Sequence, residues 1–208
     1  MNNKIGIIGG TFNPIHNAHL LIAEQFYDQM GLANCYFVPS FISPFKINNS
    51  NNSEQIVSPD DRLEMVNLAL GNNPHFLIDK FELDRKCISY TINTVHYFKE
   101  KFPNSELFFL IGQDQANYFI KWQKWQKIIE IAQLVIAKRV DDLKFPTRQR
   151  DKITEELSIN GKKPLWISNT NMEISSSEIR KKIIAGKSTN YLLPDAVYDY
   201  IKNNNLYR

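Results

Sequence analysis

Residues 5–20 read IGIIGGTFNPIHNAHL, and this stretch decides the fold. Its first four residues form an apolar run, as in a strand buried on both faces of a parallel sheet, and an apolar helical pattern follows from Leu20 to Met30. Between them, Gly9 and Gly10 can take a positive φ and let a ligand approach the backbone. The stretch predicts a strand, a tight turn and a helix start, whose N–H groups and dipole suit a phosphate.

The first turn of that predicted helix contains two histidines. His16 and His19 are three positions apart, so they share a face. Taken alone, the pair could be two hydrogen-bonded surface histidines or a metal pair. No third His, Cys or acid has helical spacing to them, which disfavours zinc. Their place after a strand and a Gly-Gly turn instead predicts a site that holds negative charge while it moves.

The rest of the chain alternates strand and helix patterns. Five more strands are predicted, at 35–38, 75–78, 107–111, 134–137 and 165–167. Ser58 and Pro59 should begin a helix whose apolar stripe is Leu63, Val66 and Leu70. The Asn- and Ser-rich segment 40–58 is typical of a flexible loop. The pattern predicts an α/β fold, a Rossmann-like doubly wound parallel sheet in a single domain 1–208, with a C-terminal helical portion from about residue 172.

Composition excludes some classes of protein. A net charge of +3 implies no strong field for nucleic acid or membrane, and 43% hydrophobic residues can form a substantial core. Cys35 and Cys87 lack C-x-x-C spacing and are expected to be reduced thiols. No apolar run approaches the roughly 20 residues of a membrane span. Because residues 1–4 lead directly into a strand, we expect no signal peptide and a cytoplasmic protein. The oligomeric state stays open, a homodimer included.

The opening stretch resembles the (T/G)-x-F-x-P-x-H-x-G-H signature of the nucleotidylyltransferase superfamily. Later segments match the same superfamily: Gly112-Gln113-Asp114, Trp122, and residues 174–180, which read ISSSEIR. Together, from Ile5 to about Ile201, they are similar to bacterial nicotinate mononucleotide adenylyltransferases. Three positions depart from the usual pattern, since Asn13 replaces an Asp, Ala18 a Gly and Phe45 a His.

The resemblance implies an enzyme of NAD biosynthesis. It would transfer the adenylyl group of ATP to nicotinate mononucleotide, giving nicotinate adenine dinucleotide and pyrophosphate, with Mg²⁺ bound through the ATP phosphates and no metal site of the protein's own. The attacking phosphate is already an anion, so no general base is needed, and alignment and charge stabilisation carry the reaction. Two alternatives stay open: another acceptor, such as nicotinamide mononucleotide or a phosphopantetheine, and a nucleotide-binding regulator without catalysis.

The resemblance also implies roles for particular residues. The catalytic residues would be His16, His19, Lys46 and Arg180. The ATP site would comprise Gly9, Gly10, Thr11, Phe12, His16, His19, Gly112, Asp114, Ser175, Ser176 and Arg180. The mononucleotide site would comprise Lys46, Tyr90, Thr91 and Trp122.

Several of these residues also have plainer interpretations. On spacing alone, Ser175 could be a helix N-cap, Arg180 a solvated helix residue, Asp114 an N-cap and Trp122 a core side chain. The functional interpretation starts from position: hydroxyls and N–H groups coincide at the second helix start, and Arg180 lies one turn inside it at i+4 from Ser176. Tyr90 and Thr91 should start a helix that binds the pyridine carboxylate, with Trp122 stacked on the ring.

Overall fold

The fold is built on a parallel sheet. The computed structural model describes residues 3–44, 56–138, 147–168 and 174–208. Within these ranges the strands are β1 Lys4–Gly10, β2 Asn34–Pro39, β3 Phe76–Ile78, β4 Glu106–Gly112, β5 Gln133–Ala137 and β6 Leu165–Ile167. They lie in the order β3-β2-β1-β4-β5-β6, and every pairing is parallel. This is the strand order of a Rossmann-like doubly wound sheet, and it confirms the predicted fold class.

Helices cover both faces of the sheet. They are α1 Asn17–Met30, α2 Pro59–Leu70, α3 Phe81–Asp84, α4 Thr91–Lys101, α5 Gln113–Ala116, α6 Trp125–Ile131, α7 Thr147–Glu156, α8 Ser176–Ile184 and α9 Asp195–Asn203, with a 3₁₀ turn at Phe119–Lys121. The described part of the chain after residue 173 is therefore largely helical, as predicted. No helix in the described ranges has the length and apolar character needed to cross a membrane.

Successive residues of β1 face opposite sides of the sheet, and each side has its own core. Ile8 belongs to the core under α1, α2, α8 and α9, together with Phe26, Phe37 and Val66. Ile7 belongs to the core under α4 and α6. Both faces are thus buried, which explains why β1 is apolar at consecutive positions rather than alternating. Gly6 is required by packing, since a Cβ there would lie 2.6 Å from Leu32 Cδ1.

The structure corrects the predicted helices in two places. The inward face of α2 is formed by Arg62, Met65, Val66 and Leu70, whereas Leu63 is only partly buried, so the predicted stripe was wrong by one position at its start. Helix α7 was not predicted at all. Its sequence TRQRDKITEE is highly polar, and Ile153 is its buried apolar residue.

Some predicted features lie outside the described residues. Lys46 and Phe45, and most of the loop predicted at 40–58, are among them, as is residue 172, where the C-terminal portion was expected to begin. The two ends of that loop are described, and both bear on the site below.

Candidate active site

A cleft opens at the carboxyl edge of the sheet, above β1. Its volume is about 630 Å³. In open α/β sheets ligands bind at this edge, where the strand order reverses, and here the reversal lies between β1 and its neighbours β2 and β4. Six of the predicted site residues line the cleft: Gly9, Gly10, Thr11, Tyr90, Thr91 and Trp122. The other described ones are not part of its lining: Phe12, His16, His19, Gly112, Asp114, Ser175, Ser176 and Arg180.

The glycine-rich turn differs in detail from the prediction. Gly9 and Gly10 both belong to β1, and neither has a positive φ. The left-handed residue is Phe12, with φ 49°, which is uncommon for a bulky side chain. Its ring packs over Gly10, where a Cβ would lie 2.9 Å from Phe12 Cε1. Gly10 is therefore needed for the fold of the turn, whereas Gly9 leaves room above the backbone, since its nearest neighbour, the Phe109 ring, is 3.8 Å from an added Cβ.

The two histidines are held together at the start of α1, as predicted. Their rings stack with centroids 3.7 Å apart. His16 is the N-cap residue, and its backbone N–H donates to Nδ1 of His19 at 3.2 Å. The ring of Phe12 meets His19 edge-on at 5.3 Å. The glycine turn, Phe12 and the helix start thus fix the position of the His19 ring.

The hydrogen bond to His19 also fixes its tautomer. Because Nδ1 accepts a hydrogen bond from the His16 N–H, the neutral ring carries its own hydrogen on Nε2. Burial lowers the pKa of His19 from 6.5 to about 4, since a charged imidazole would lose its hydration there. At neutral pH His19 is therefore an uncharged N–H donor until an anion approaches.

The second helix start lies next to the glycine-rich turn. Ser175 is the N-cap of α8 and accepts from the Glu178 N–H at 3.2 Å, so the plain capping interpretation is correct for this residue. Ser176 donates its hydroxyl to Pro14 O at 2.8 Å. Arg180 is buried and donates to Asn13 O at 2.7 Å, so it is not a solvated helix residue. The starts of α1 and α8 therefore flank the segment 11–14 together.

The other side of the cleft contains the aromatic residue expected to bind the pyridine. Trp122 follows the 3₁₀ turn and contacts the rings of Phe119 and Phe109, at centroid distances of 4.9 and 6.3 Å. Tyr90 is the N-cap of α4, and Thr91 is its first helical residue. The structure thus brings an indole and a helix start to one cavity, as the sequence predicted.

Gly112 and Asp114 lie at the end of β4 but are not part of the cleft lining. Gly112 is the N-cap of the short helix α5, and Asp114 is an exposed residue in its first turn. Asp114 is therefore not the N-cap, which was the plainer alternative. It stays a candidate contact for a ribose hydroxyl at the carboxyl edge of the sheet.

Sequence reasoning missed several residues of the site. Arg62 is 1% exposed and donates to Thr11 O, Ser40 O and Phe41 O at 2.7 to 3.1 Å. Glu82 lines the cleft, and burial raises the pKa of its carboxyl group. Lys121 lies beside Trp122 in the lining. The one available signal for Arg62 was its spacing, because it shares a helix face with the apolar residues Met65, Val66 and Leu70. The other two became visible only through tertiary contacts.

The described residues contain no group of three or more His, Cys, Asp or Glu side chains placed to hold a metal ion. The arrangement instead offers the Nε2–H of His19 and the positive dipole ends of two helices. Such donors hold phosphate groups, and any divalent ion would arrive with them.

Comparison with known proteins agrees with this geometry. The cytidylyltransferase-like family model matches residues 7–182. Nicotinate-nucleotide adenylyltransferase of Bacillus subtilis is 36% identical over 205 residues, covering 98% of each chain. A Clostridium botulinum (Loch Maree) protein named probable nicotinate-nucleotide adenylyltransferase is 36% identical over 208 residues and the full length of both chains.

Solved structures support the fold. The nicotinic acid mononucleotide adenylyltransferase of Plasmodium falciparum in complex with NaAD superposes with a TM-score of 0.74 at 20% identity, covering 99% of this chain and 98% of that one. The same enzyme in complex with APC gives 0.72 at 19% identity. The resemblance found in the sequence is thereby confirmed: this chain belongs to the cytidylyltransferase-like family and, within it, to the nicotinate-nucleotide adenylyltransferases.

Proposed function

We propose that this chain transfers the adenylyl group of ATP to nicotinate mononucleotide, producing nicotinate adenine dinucleotide and pyrophosphate in NAD biosynthesis. The observation that carries the proposal is the cleft itself, in which Trp122 and the start of α4 lie across from the glycine-rich turn of β1. Relatives of this name match the full chain at about 36% identity.

The chemistry asked of the protein is alignment of two anions and stabilisation of charge. The mononucleotide phosphate attacks the α-phosphorus of ATP, and the bond to the β,γ-pyrophosphate breaks. His19 donates from Nε2 to the triphosphate, supported by His16, and the starts of α1 and α8 add the positive ends of their helix dipoles. The fixed rings require little reorganisation as charge grows on the leaving pyrophosphate.

Arg180 and Lys46 complete the proposed phosphate site. Arg180 donates to Asn13 O, so its guanidinium would either hold the turn in place or exchange this bond for one to a phosphate oxygen. Lys46 lies outside the described residues, and its role is a proposal from the sequence alone. Mg²⁺ would be held by the ATP phosphates, where it neutralises their charge.

The mononucleotide would bind on the side of Trp122. Its pyridinium ring stacks on the indole in a cation–π contact, and its carboxylate accepts hydrogen bonds at Tyr90 and Thr91. Helix-start N–H groups are donors only, so they favour a carboxylate over a carboxamide. This geometry favours nicotinate mononucleotide over nicotinamide mononucleotide. It also disfavours a phosphopantetheine, which has no aromatic ring to stack on Trp122.

Product analysis tests the proposal directly. The protein is incubated with ATP, Mg²⁺ and one of three acceptors: nicotinate mononucleotide, nicotinamide mononucleotide or phosphopantetheine. Pyrophosphate release and mass spectrometry then identify the products. We expect nicotinate adenine dinucleotide as the main dinucleotide. Nucleotide binding without pyrophosphate release would favour the non-catalytic regulator, and a dephospho-coenzyme A product would favour the other acceptor class.

We further propose that residues 1–208 form one nucleotidyltransferase domain in the cytoplasm, with nicotinate mononucleotide and ATP rather than nucleic acid or membrane as partners. Cys35 and Cys87 are both free thiols, which is usual in a reducing compartment. Gel filtration with light scattering would decide between a monomer and the homodimer left open above.

A further inference from the structure

The segment 11–14 is held by hydrogen bonds from elements far away in the sequence. In three of its residues the backbone carbonyl oxygen accepts a hydrogen bond from a distant side chain. Thr11 O accepts from Arg62 at 2.8 Å, Asn13 O from Arg180 at 2.7 Å and Pro14 O from Ser176 at 2.8 Å. Helices α2 and α8 therefore clamp the segment that places His16 and His19.

The side chain of Asn13 adds two more bonds to this clamp. Its Oδ1 accepts from the hydroxyl of Tyr207 at 2.9 Å and from the Val57 N–H at 3.2 Å. Asn13 is 2% exposed and Tyr207 is fully buried, so water does not compete for this pair. Burial raises the pKa of the Tyr207 phenol, so the hydroxyl keeps its proton and is the donor.

The backbone of Tyr207 is strained where it makes this contact. Tyr207 has φ 63° and Asn205 has φ 53°, whereas a left-handed conformation is rare for a bulky aromatic residue. Such conformations persist only where the surrounding contacts hold them in place, and they are common at functional sites. Here the strained turn after α9 carries the phenol to a residue only three positions before His16.

We propose that Tyr207 is a positioning residue of the ATP phosphate site, which it reaches through Asn13. The hydroxyl fixes the Asn13 side chain, which in turn fixes the segment between β1 and α1 and the stacked histidines at the helix start. The inference rests on the proposed function, and it adds a residue that none of the sequence motifs contains. It also gives a reason for the departure at position 13, because an amide oxygen accepts from both donors without a charge.

The geometry predicts which substrate is affected. The clamp lies under the histidines and the start of α8, whereas Trp122, Tyr90 and Thr91 lie on other elements across the cleft. Loosening Asn13 should therefore weaken the interaction with ATP and leave the mononucleotide nearly unaffected. A purely structural role would lower thermal stability without favouring one substrate.

The test variant is Tyr207→Phe, which removes one hydroxyl and keeps the ring. Its control is Tyr200→Phe, which removes a hydroxyl bonded at 3.0 Å to Asp61 Oδ1, away from the cleft. For both variants the melting temperature, kcat and the KM of each substrate are measured, and the Kd of a non-hydrolysable ATP analogue is determined by calorimetry. Below the melting transition we expect Tyr207→Phe to lose about tenfold in kcat/KM for ATP and in affinity for the analogue, with KM for the mononucleotide within about twofold. Tyr200→Phe should match wild type in all four constants.

A double-mutant cycle tests the route through Asn13. If Tyr207 acts through Asn13, Asn13→Ala combined with Tyr207→Phe should be no worse for ATP than Asn13→Ala alone. Additive losses, an equal loss for both substrates, or unchanged ATP constants in folded Tyr207→Phe would overturn the proposal. If Tyr207→Phe does not fold, the test rests on Asn13→Ala alone. Wild-type values of kcat/KM for ATP and of the Kd of the analogue in that variant would then refute the proposal. The calorimetric arm needs no turnover, so an inactive wild-type protein would refute the proposed function and still leave this inference testable.

Discussion

His19 is an uncharged donor whose protonation depends on what binds beside it. Its Nδ1 is occupied by the His16 N–H at 3.2 Å, and burial lowers its pKa to about 4. A triphosphate would reverse this effect, because nearby negative charge favours the imidazolium. Because Nδ1 is an acceptor here, the ring can donate to a phosphate from Nε2 while neutral, and a second proton on Nδ1 would break the bond from the His16 N–H.

Replacing His19 by Ala should remove most turnover and leave the fold intact. Loss of one preorganised donor to developing charge typically costs about 10²–10³ in rate. The measurement is kcat for His19→Ala, with His96→Ala as the control because His96 is an exposed histidine on α4. Near-normal kcat in a folded His19→Ala protein would contradict the proposed role.

The pKa of His19 should rise on binding of an ATP analogue. In the free protein we expect the midpoint of an NMR titration of the His19 ring protons to lie well below pH 6.5, and the spectrum of His19→Ala identifies the His19 resonance.

Because folding lowers the pKa of His19, this residue contributes stability that is present above about pH 6.5 and lost as the pH falls toward 4. His19→Ala should therefore lose less stability than wild type over that interval. An identical pH dependence of the two unfolding free energies would count against the lowered pKa of His19.

At the scale of elements, we expect the start of helix α4 to determine the preference between the acid and the amide substrate. Tyr90 and Thr91 line the same cleft as Trp122. A carboxamide there turns its NH₂ toward another donor, and a partly buried polar group left unpaired costs about 1–3 kcal/mol. We therefore expect kcat/KM for nicotinate mononucleotide to exceed that for the amide by roughly tenfold to a hundredfold.

The control for this preference is Trp122→Ala, measured with both mononucleotides. Both pyridinium rings stack alike on an indole, so the variant should weaken both substrates while the acid preference survives. Equal kcat/KM values for acid and amide in the wild type would instead identify a dual-specificity enzyme.

Helix α2 connects two loops through one buried arginine. Arg62 donates to Thr11 O in the first loop and to Ser40 O and Phe41 O in the second. Arg62→Lys keeps the charge but loses the planar fork, so at least one buried carbonyl loses its donor. The free energy of unfolding in urea should fall by about 1–3 kcal/mol. Arg85→Lys, at an exposed arginine, is the control and should change it by less than about 0.5 kcal/mol.

How far the sequence predicts the structure depends on the range of the contacts involved. The strands of apolar residues, the Ser58 cap and the paired histidines follow from local pattern and were predicted, and the Ser175 cap was one of two interpretations that the sequence left open. The inward turn of Arg62, the left-handed Phe12 and the bond from Tyr207 to Asn13 depend on packing between distant segments. Helix α7 was missed for another reason. Its sequence is almost entirely polar, and among the described side chains of this segment only Ile153 and the following Leu157 are buried, so no apolar stripe marks it in the sequence.

At the scale of the whole molecule, the proposed site draws on segments far apart in the chain. The phosphate side comes from residues 9–19 and 175–180, and the pyridine side from residues 90–91 and 122. A dinucleotide would bridge these segments, so its binding should stabilise the fold as a unit. A ligand at 100 times its Kd adds about 2.7 kcal/mol to the free energy of unfolding. For a chain of 208 residues this corresponds to a rise in Tm of roughly 5–11 °C.

This bridging predicts the order of Tm shifts among four ligands at equal concentration. Nicotinate adenine dinucleotide should raise Tm most, because it contacts both sides of the cleft and offers a carboxylate to the start of α4. Nicotinamide adenine dinucleotide should follow, since it spans the same distance with a mismatched amide. The ATP analogue and nicotinate mononucleotide each reach one side and should raise Tm less. In Trp122→Ala the shifts of both dinucleotides should shrink while the acid still exceeds the amide. A shift for nicotinate adenine dinucleotide no larger than that of the ATP analogue would mean that the pyridine side contributes nothing, and would place the acceptor outside the cleft.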